Sequence, residues 1–171
     1  MGLFKKLKQG LGLGTVTVVV SAPSQVGASE GLLEGVMTIT AESDQRITGV
    51  KAVLERRLSF ERRTTHTDAD GRERESWADE TRTTQLGTWA DDTAFSMAEG
   101  EEAEIAFAIP FEDMPAPYDT GLGSPLLQVL PAHWIDGTDY RLEGLSYVVR
   151  VTVDVDDAAF DKHAEQDVEI V

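Results

Sequence analysis

A chain of 171 residues without cysteine has room for one well-buried core, and it holds no disulfide, thiolate metal site or cysteine nucleophile. Its formal net charge of −16 is unevenly spread: residues 1–82 carry twelve Lys/Arg against twelve Asp/Glu, and no Lys or Arg stands between Arg82 and Arg141. Such a field repels nucleic acid and anionic lipid over most of the surface, so no nucleic-acid partner is expected, and no apolar run reaches the ~18 residues of a membrane-spanning helix.

The chain opens with Leu3, Phe4, Leu7 and Leu11 at spacings that share one helical face, flanked by Lys5, Lys6 and Lys8. This predicts a short amphipathic helix over 3–11, in a head of residues 1–14 ahead of one domain over 15–171. Gly10, Gly12 and Gly14 interrupt the apolar run that a secretory leader needs, and the lack of cysteine fits a cytoplasmic protein. The simpler role for the head is packing over an open end of the domain, because two helical turns are marginal alone. The sharper role is contact through Phe4, Lys5, Lys6 and Lys8 with a protein groove, or weak peripheral contact with an anionic membrane.

From Thr15 onward the pattern has period two. Val16, Val18 and Val20 alternate with hydroxyl residues. Leu33, Met37 and Ile39 alternate with Glu34, Thr38 and Thr40. Val50, Ala52, Leu54, Leu58 and Phe60 share a face that Arg56 interrupts. Thr64 to Thr67, the turn Asp68-Ala69-Asp70-Gly71 and the almost wholly polar run 73–86 predict a long twisted hairpin. Its second strand is expected at a sheet edge, guarded by charge, with Trp77 and Arg82 as candidate contacts for a partner strand. Ala103, Ile105, Phe107, Ile109 and Phe111 form the next alternation. Ser124-Pro125 then opens a predicted helix that Pro131 stops. Residues 145–155 give the cleanest strand, with Leu145, Tyr147, Val149, Val151, Val153 and Val155 on one side, and Val168 and Ile170 close the chain. Turn clusters are expected at 22–30, 42–45, 68–71, 87–93 and 113–123. Short strands between turns, with few helices, point to an all-β, antiparallel two-sheet sandwich of immunoglobulin type with a short N-terminal helix.

Little in the sequence carries chemistry. His66, His133 and His163 are read into separate loops without a His or Cys at ligand spacing. Residues 68–71 resemble the start of a calcium loop, but the Gly is early and the terminal Glu at the twelfth position is missing, Asp79 standing there. Asp154, Asp156, Asp157 and Asp161 could surround a hard cation and read more simply as a solvated loop. There is no nucleophile elbow, and Gly10 to Gly14 lacks the Lys-Ser/Thr of a phosphate loop. We therefore expect no catalytic residues, no cofactor and no metal.

Five segments together resemble the arrestin-like family, and within it the sporulation-control proteins of bacteria and archaea. They are the opening Phe4-Lys5-Lys6-Leu7, the run Gly31-Leu32-Leu33-Glu34-Gly35-Val36-Met37-Thr38-Ile39, residues 47–55, residues 105–111 with their exit Ile109-Pro110-Phe111, and the closing pair 145–153 with 166–171. The resemblance implies a two-sheet sandwich and a non-catalytic adaptor or regulator in sporulation, stress or envelope control, acting through protein partners. Relatives often carry two such sandwiches and this chain has room for one, so a function needing a cleft between lobes would require a homodimer. The alternative is a self-associating structural or assembly protein, with a metal-dependent enzyme third.

Overall fold

The computed structural model describes residues 16–112, 140–156, 158 and 161–171. The predicted helices over 3–11 and 124–130 lie outside the described residues, as do Phe4, Lys5, Lys6, Lys8 and His133. Among the described residues the regular structure is entirely strand: β1 (Val16–Ser21), β2 (Gln25–Val26), β3 (Leu32–Ala41), β4 (Gln45–Thr67), β5 (Glu73–Asp91), β6 (Phe95–Met97), β7 (Glu102–Pro110), β8 (Tyr140–Val155) and β9 (Lys162–Ile170).

They form two sheets. The smaller has the order β1-β3-β7, antiparallel throughout. The larger has the order β2-β9-β8-β4-β5, with β6 pairing the start of β4. Its one parallel pairing is the two-residue β2 against β9. The alternation seen in the sequence sorts each strand into an inward and an outward side. The small sheet contributes Val16, Leu33, Met37, Ile39, Phe107 and Ile109 to the core, and the large sheet contributes Ala52, Leu54, Val149, Val151, Val153, Val168 and Ile170. The expected sandwich is the observed one.

The sides of the sandwich close differently. At one, the Gln166 side chain on β9 grips the backbone leaving β1: its amide nitrogen donates to the Ala22 carbonyl at 2.7 Å, and its oxygen accepts from the Ala22 N–H at 3.0 Å. At the other, β5 meets β7 closely enough that a Cβ on Gly87 would strike the Pro110 carbonyl oxygen and lie 2.7 Å from the Ile109 Cγ2. Trp89 stands there beside Phe107, ring centroids 6.4 Å apart.

Three expectations need correction. Residues 87–93 do not form a turn, because β5 continues through Gly87 to Asp91. His66 lies on β4 and His163 on β9, both exposed, so neither occupies a loop. The even positions of β8 are not a plain solvated face either: Val148 is 3% exposed and Val53, on the same side of β4, is 8% exposed. Arg57 explains this cover. Its guanidinium forks onto Glu165 of β9 at 2.8 and 2.7 Å, while Nη2 also reaches Glu55 at 2.9 Å. Register puts Arg57 opposite Ser146 and Glu165 opposite Arg150, so the fork crosses the row in which Val148 sits. The apolar stem and paired heads shield the valines.

The hydrogen bond from Arg57 holds the Glu165 carboxyl below its ordinary value of 4.5, and the bonds to Glu165 and then Glu55 raise Arg57. A lowered folded-state value stabilises the fold above pH 4.5 and is lost as pH falls through it. Glu165→Gln is therefore expected to lower the melting temperature at pH 7 by a few degrees, for about 1 kcal/mol after solvent screening. The gap from wild type should shrink towards pH 3, on this linkage. An equal gap at both pH values would count against the ion pair.

Candidate interaction edge

Among the described residues β5 ends the large sheet, as β1 and β7 end the small one, and of these edges it is the longest. Thr64, Thr65, Thr67, Thr81, Thr83 and Thr84 supply β-branched residues that favour extended backbone without an apolar face. The turn is set locally. Gly71 takes φ 77°, and its N–H donates to the Asp68 carbonyl at 3.0 Å. The Asp68 carboxylate accepts from the N–H of Arg72 at 2.9 Å and of Asp70 at 3.0 Å, and pairs with Arg74 at 3.1 Å. The backbone N–H of Arg72 is the first cause that holds the Asp68 carboxyl below its ordinary value. These contacts consume the carboxylate in the turn, as the hairpin reading requires.

Along the hairpin the two strands stay in register from Thr67↔Glu73 to Glu55↔Gln85, where Leu86 is an extra residue before Leu54↔Gly87. This bulge ends the regular stretch of β5. The other side of β4 pairs with β8 as far as Arg62↔Tyr140. Among the described residues, β5 pairs with β4 alone. Residues 73–85 therefore present one long backbone edge.

Trp77 and Arg82 both lie on this edge strand, but on opposite faces. Trp77 is half-buried opposite Arg63, and Arg82 is exposed opposite Leu58. Between them, Glu80 accepts from Arg62 at 3.0 Å. Glu80 was not singled out in the sequence. Its signal was present in the opposite charges two apart, Glu80-Thr81-Arg82, which share one strand face.

Three further features surround the edge. On the outward face of the hairpin, Glu61, Asp79 and Glu143 bring carboxylate oxygens within 4.8 Å of one another. They are the described residues best placed to share a cation, though two of the three are exposed and we assign none. At the seam of β3, β7 and β5, an open hollow is lined by Glu34, Gly35, Val36, Trp89, Ala106, Phe107 and Ala108. Gly35 allows it: a Cβ there would meet the Phe107 ring, and would lie 2.9 Å from the Ser21 carbonyl oxygen. Finally, Asp154 is pushed above its ordinary carboxyl value by burial, then by Asp161 and Asp92, with Lys51 opposing.

A raised carboxyl value costs stability wherever the group is ionised, and the cost disappears as pH falls through the folded value towards 3.8. Asp154→Asn is thus expected to melt higher than wild type at pH 7 and level with it near pH 3, by the same linkage. A variant less stable at neutral pH would refute the crowding of these acids. The expected solvated loop of four acids needs correction at Asp154, which lies on β8; Asp156 and Asp161 follow the strand, and Asp157 lies outside the described residues.

No family model and no curated protein matches the chain. Among solved structures, it shares its fold with the sporulation control protein Spo0M from Bacillus subtilis, at TM-score 0.57 and 11% identity. The match covers 92% of this chain and 50% of that one, so the chain spans about half the length of the protein it resembles. The likeness bears out the two-sheet sandwich and the expected fold relation to a sporulation control protein. A CARDB domain from Pyrococcus furiosus aligns over 91% of this chain and 87% of its own at 14% identity, with a TM-score of 0.41. Among the described residues, no helix is long and apolar enough to cross a membrane.

Proposed function

We propose that the chain is a non-catalytic, arrestin-like binding module, one sandwich over residues 15–171, that serves as a cytoplasmic adaptor or regulator and recognises a protein through the outer edge of β5. The observation that carries this reading is the 13-residue regular edge over 73–85, which no described strand pairs. A strand edge offers a partner main-chain hydrogen bonds for affinity and alternate side chains for selectivity. The charges along the edge discourage indiscriminate pairing. The fold shared with Spo0M, a sporulation control protein, supports a regulatory role in sporulation, stress or envelope control.

The test is photo-crosslinking in the native host from a probe at Thr81 or Thr83, with a control probe at the exposed Lys51 of β4, a strand paired on both sides. Adducts to a protein, a second copy of this chain included, that arise from β5 and not from Lys51 are expected. Equal adducts from both sites would overturn the reading.

The N-terminal segment is the second proposed contact, through Phe4, Lys5, Lys6 and Lys8. Deleting residues 1–12 is expected to leave cooperative unfolding intact while weakening retention on anionic liposomes or on the crosslinked partner. Unchanged retention in both assays would remove the anchor.

A further inference from the structure

We propose that the outer edge of β5 pairs with the same edge of a second copy, antiparallel and centred on Thr81, joining two large sheets into one. This rests on reading the edge as a recognition surface, and it names the occupant.

The geometry restricts the choice sharply. Two identical strands pair antiparallel about a twofold axis perpendicular to the sheet, and that axis keeps every side chain on its own face. Directly opposed residues must share a face, and faces alternate along the strand. The axis therefore passes through a residue and never between two. Only a few registers remain within residues 73–85, which end at the Leu86 bulge.

Charge sorts them. An axis at Glu73, Arg74, Glu75, Asp79, Glu80 or Arg82 sets a charged residue against its own copy. An axis at Ser76 opposes Glu73 to Asp79, and one at Ala78 opposes Arg74 to Arg82. An axis at Trp77 matches Arg74 to Glu80 but opposes Glu75 to Asp79. Axes at Thr83 or Thr84 leave short overlaps without any ion pair. With the axis at Thr81, Glu80 of each copy faces Arg82 of the other, Asp79 faces Thr83, Ala78 faces Thr84 and Trp77 faces Gln85. Two ion pairs form and no like charges oppose. Cross-strand Thr–Thr and opposite-charge pairs both favour such a ladder.

The wider charge distribution agrees. Residues 55–82 carry seven arginines against eight acids, whereas the rest of the chain carries eight Lys/Arg against twenty-three Asp/Glu. The hairpin is thus where two copies of a −16 chain can meet with the least net repulsion. Glu80 already accepts from Arg62 at 3.0 Å, and its carboxylate has further lone pairs for a second guanidinium.

The test is sedimentation of the full chain over a dilution series reaching about 100 µM, where mass action favours the dimer. Wild type is expected to show twice the chain mass at the top of the series and to dissociate on dilution. Glu80→Arg and Arg82→Glu each oppose like charges twice and should each weaken association at least tenfold. The double variant should restore it. So should an equimolar mixture of the two single variants, because every introduced charge then meets its opposite on the other chain. That rescue depends on the intermolecular pairs alone, whatever Glu80→Arg does to the contact with Arg62. A wild type that stays monomeric throughout overturns self-pairing, and the edge reading is then decided separately by crosslinks to another protein. A dimer that survives both single variants, or a mixture that stays monomeric, overturns it equally.

Discussion

Gly87→Ala is expected to lower the melting temperature by roughly 6–12 °C, the equivalent of about 3 kcal/mol in a chain of this size. The added methyl would strike the Pro110 carbonyl oxygen and lie 2.7 Å from the Ile109 Cγ2. The first is backbone, and the second belongs to a side chain with no measurable exposure. Neither can step aside without parting β5 from β7, so relief must come from shifting one sheet against the other. The natural control is Gly144→Ala. Nothing lies within 4 Å of a Cβ at Gly144, and its φ is not positive. That variant should be neutral or slightly stabilised, since alanine restricts the unfolded chain. Equal melting temperatures for the two variants would mean that the seam is not the tight contact described.

Leu54→Ala is expected to cost about 2–5 kcal/mol, read as a lower urea midpoint with an unchanged slope. Leu54 is fully buried and stands between Gly87 on β5 and Val149 on β8, at the last regular position before the bulge. Truncation there removes three carbons from the interior, and the rigid sheets around it can close only part of the space. Val19→Ala, on the outward face of β1 and 56% exposed, should change stability by no more than about 0.5 kcal/mol. A Leu54 variant as mild as the Val19 variant would show that the two sheets do not share this core.

What could be read in the sequence was whatever repeats along one strand. Odd positions from Tyr147 to Val155 are buried as their alternation demanded. Arg56 breaks the pattern for a structural reason, since it faces inward opposite Tyr147 and remains only half-buried. Asp68 to Gly71 forms its turn because the carboxylate and the glycine act over four residues. Contacts set by sheet order were not legible. Arg57 and Glu165 are 108 residues apart, and only the insertion of β8 between β4 and β9 brings them together. Gly87 was read as a turn because glycine usually marks one, whereas here it serves a close approach of two backbones. Trp77 and Arg82 lie on the outermost strand of the large sheet but on opposite faces of it, which the strand pattern leaves open until the register is known.

One consequence lies in the length of β4. It runs 23 residues without interruption, roughly 75 Å if fully extended, from a position inside the core to the far end of the hairpin. Its inner half holds Ile47, Ala52 and Leu54, all without measurable exposure. A tug at the hairpin tip is therefore felt along a single covalent rod anchored in the middle of the large sheet. Since β5 moves with β4 at the tip, the load falls lengthwise on the ladder to β8, so many hydrogen bonds share it and none is peeled open alone.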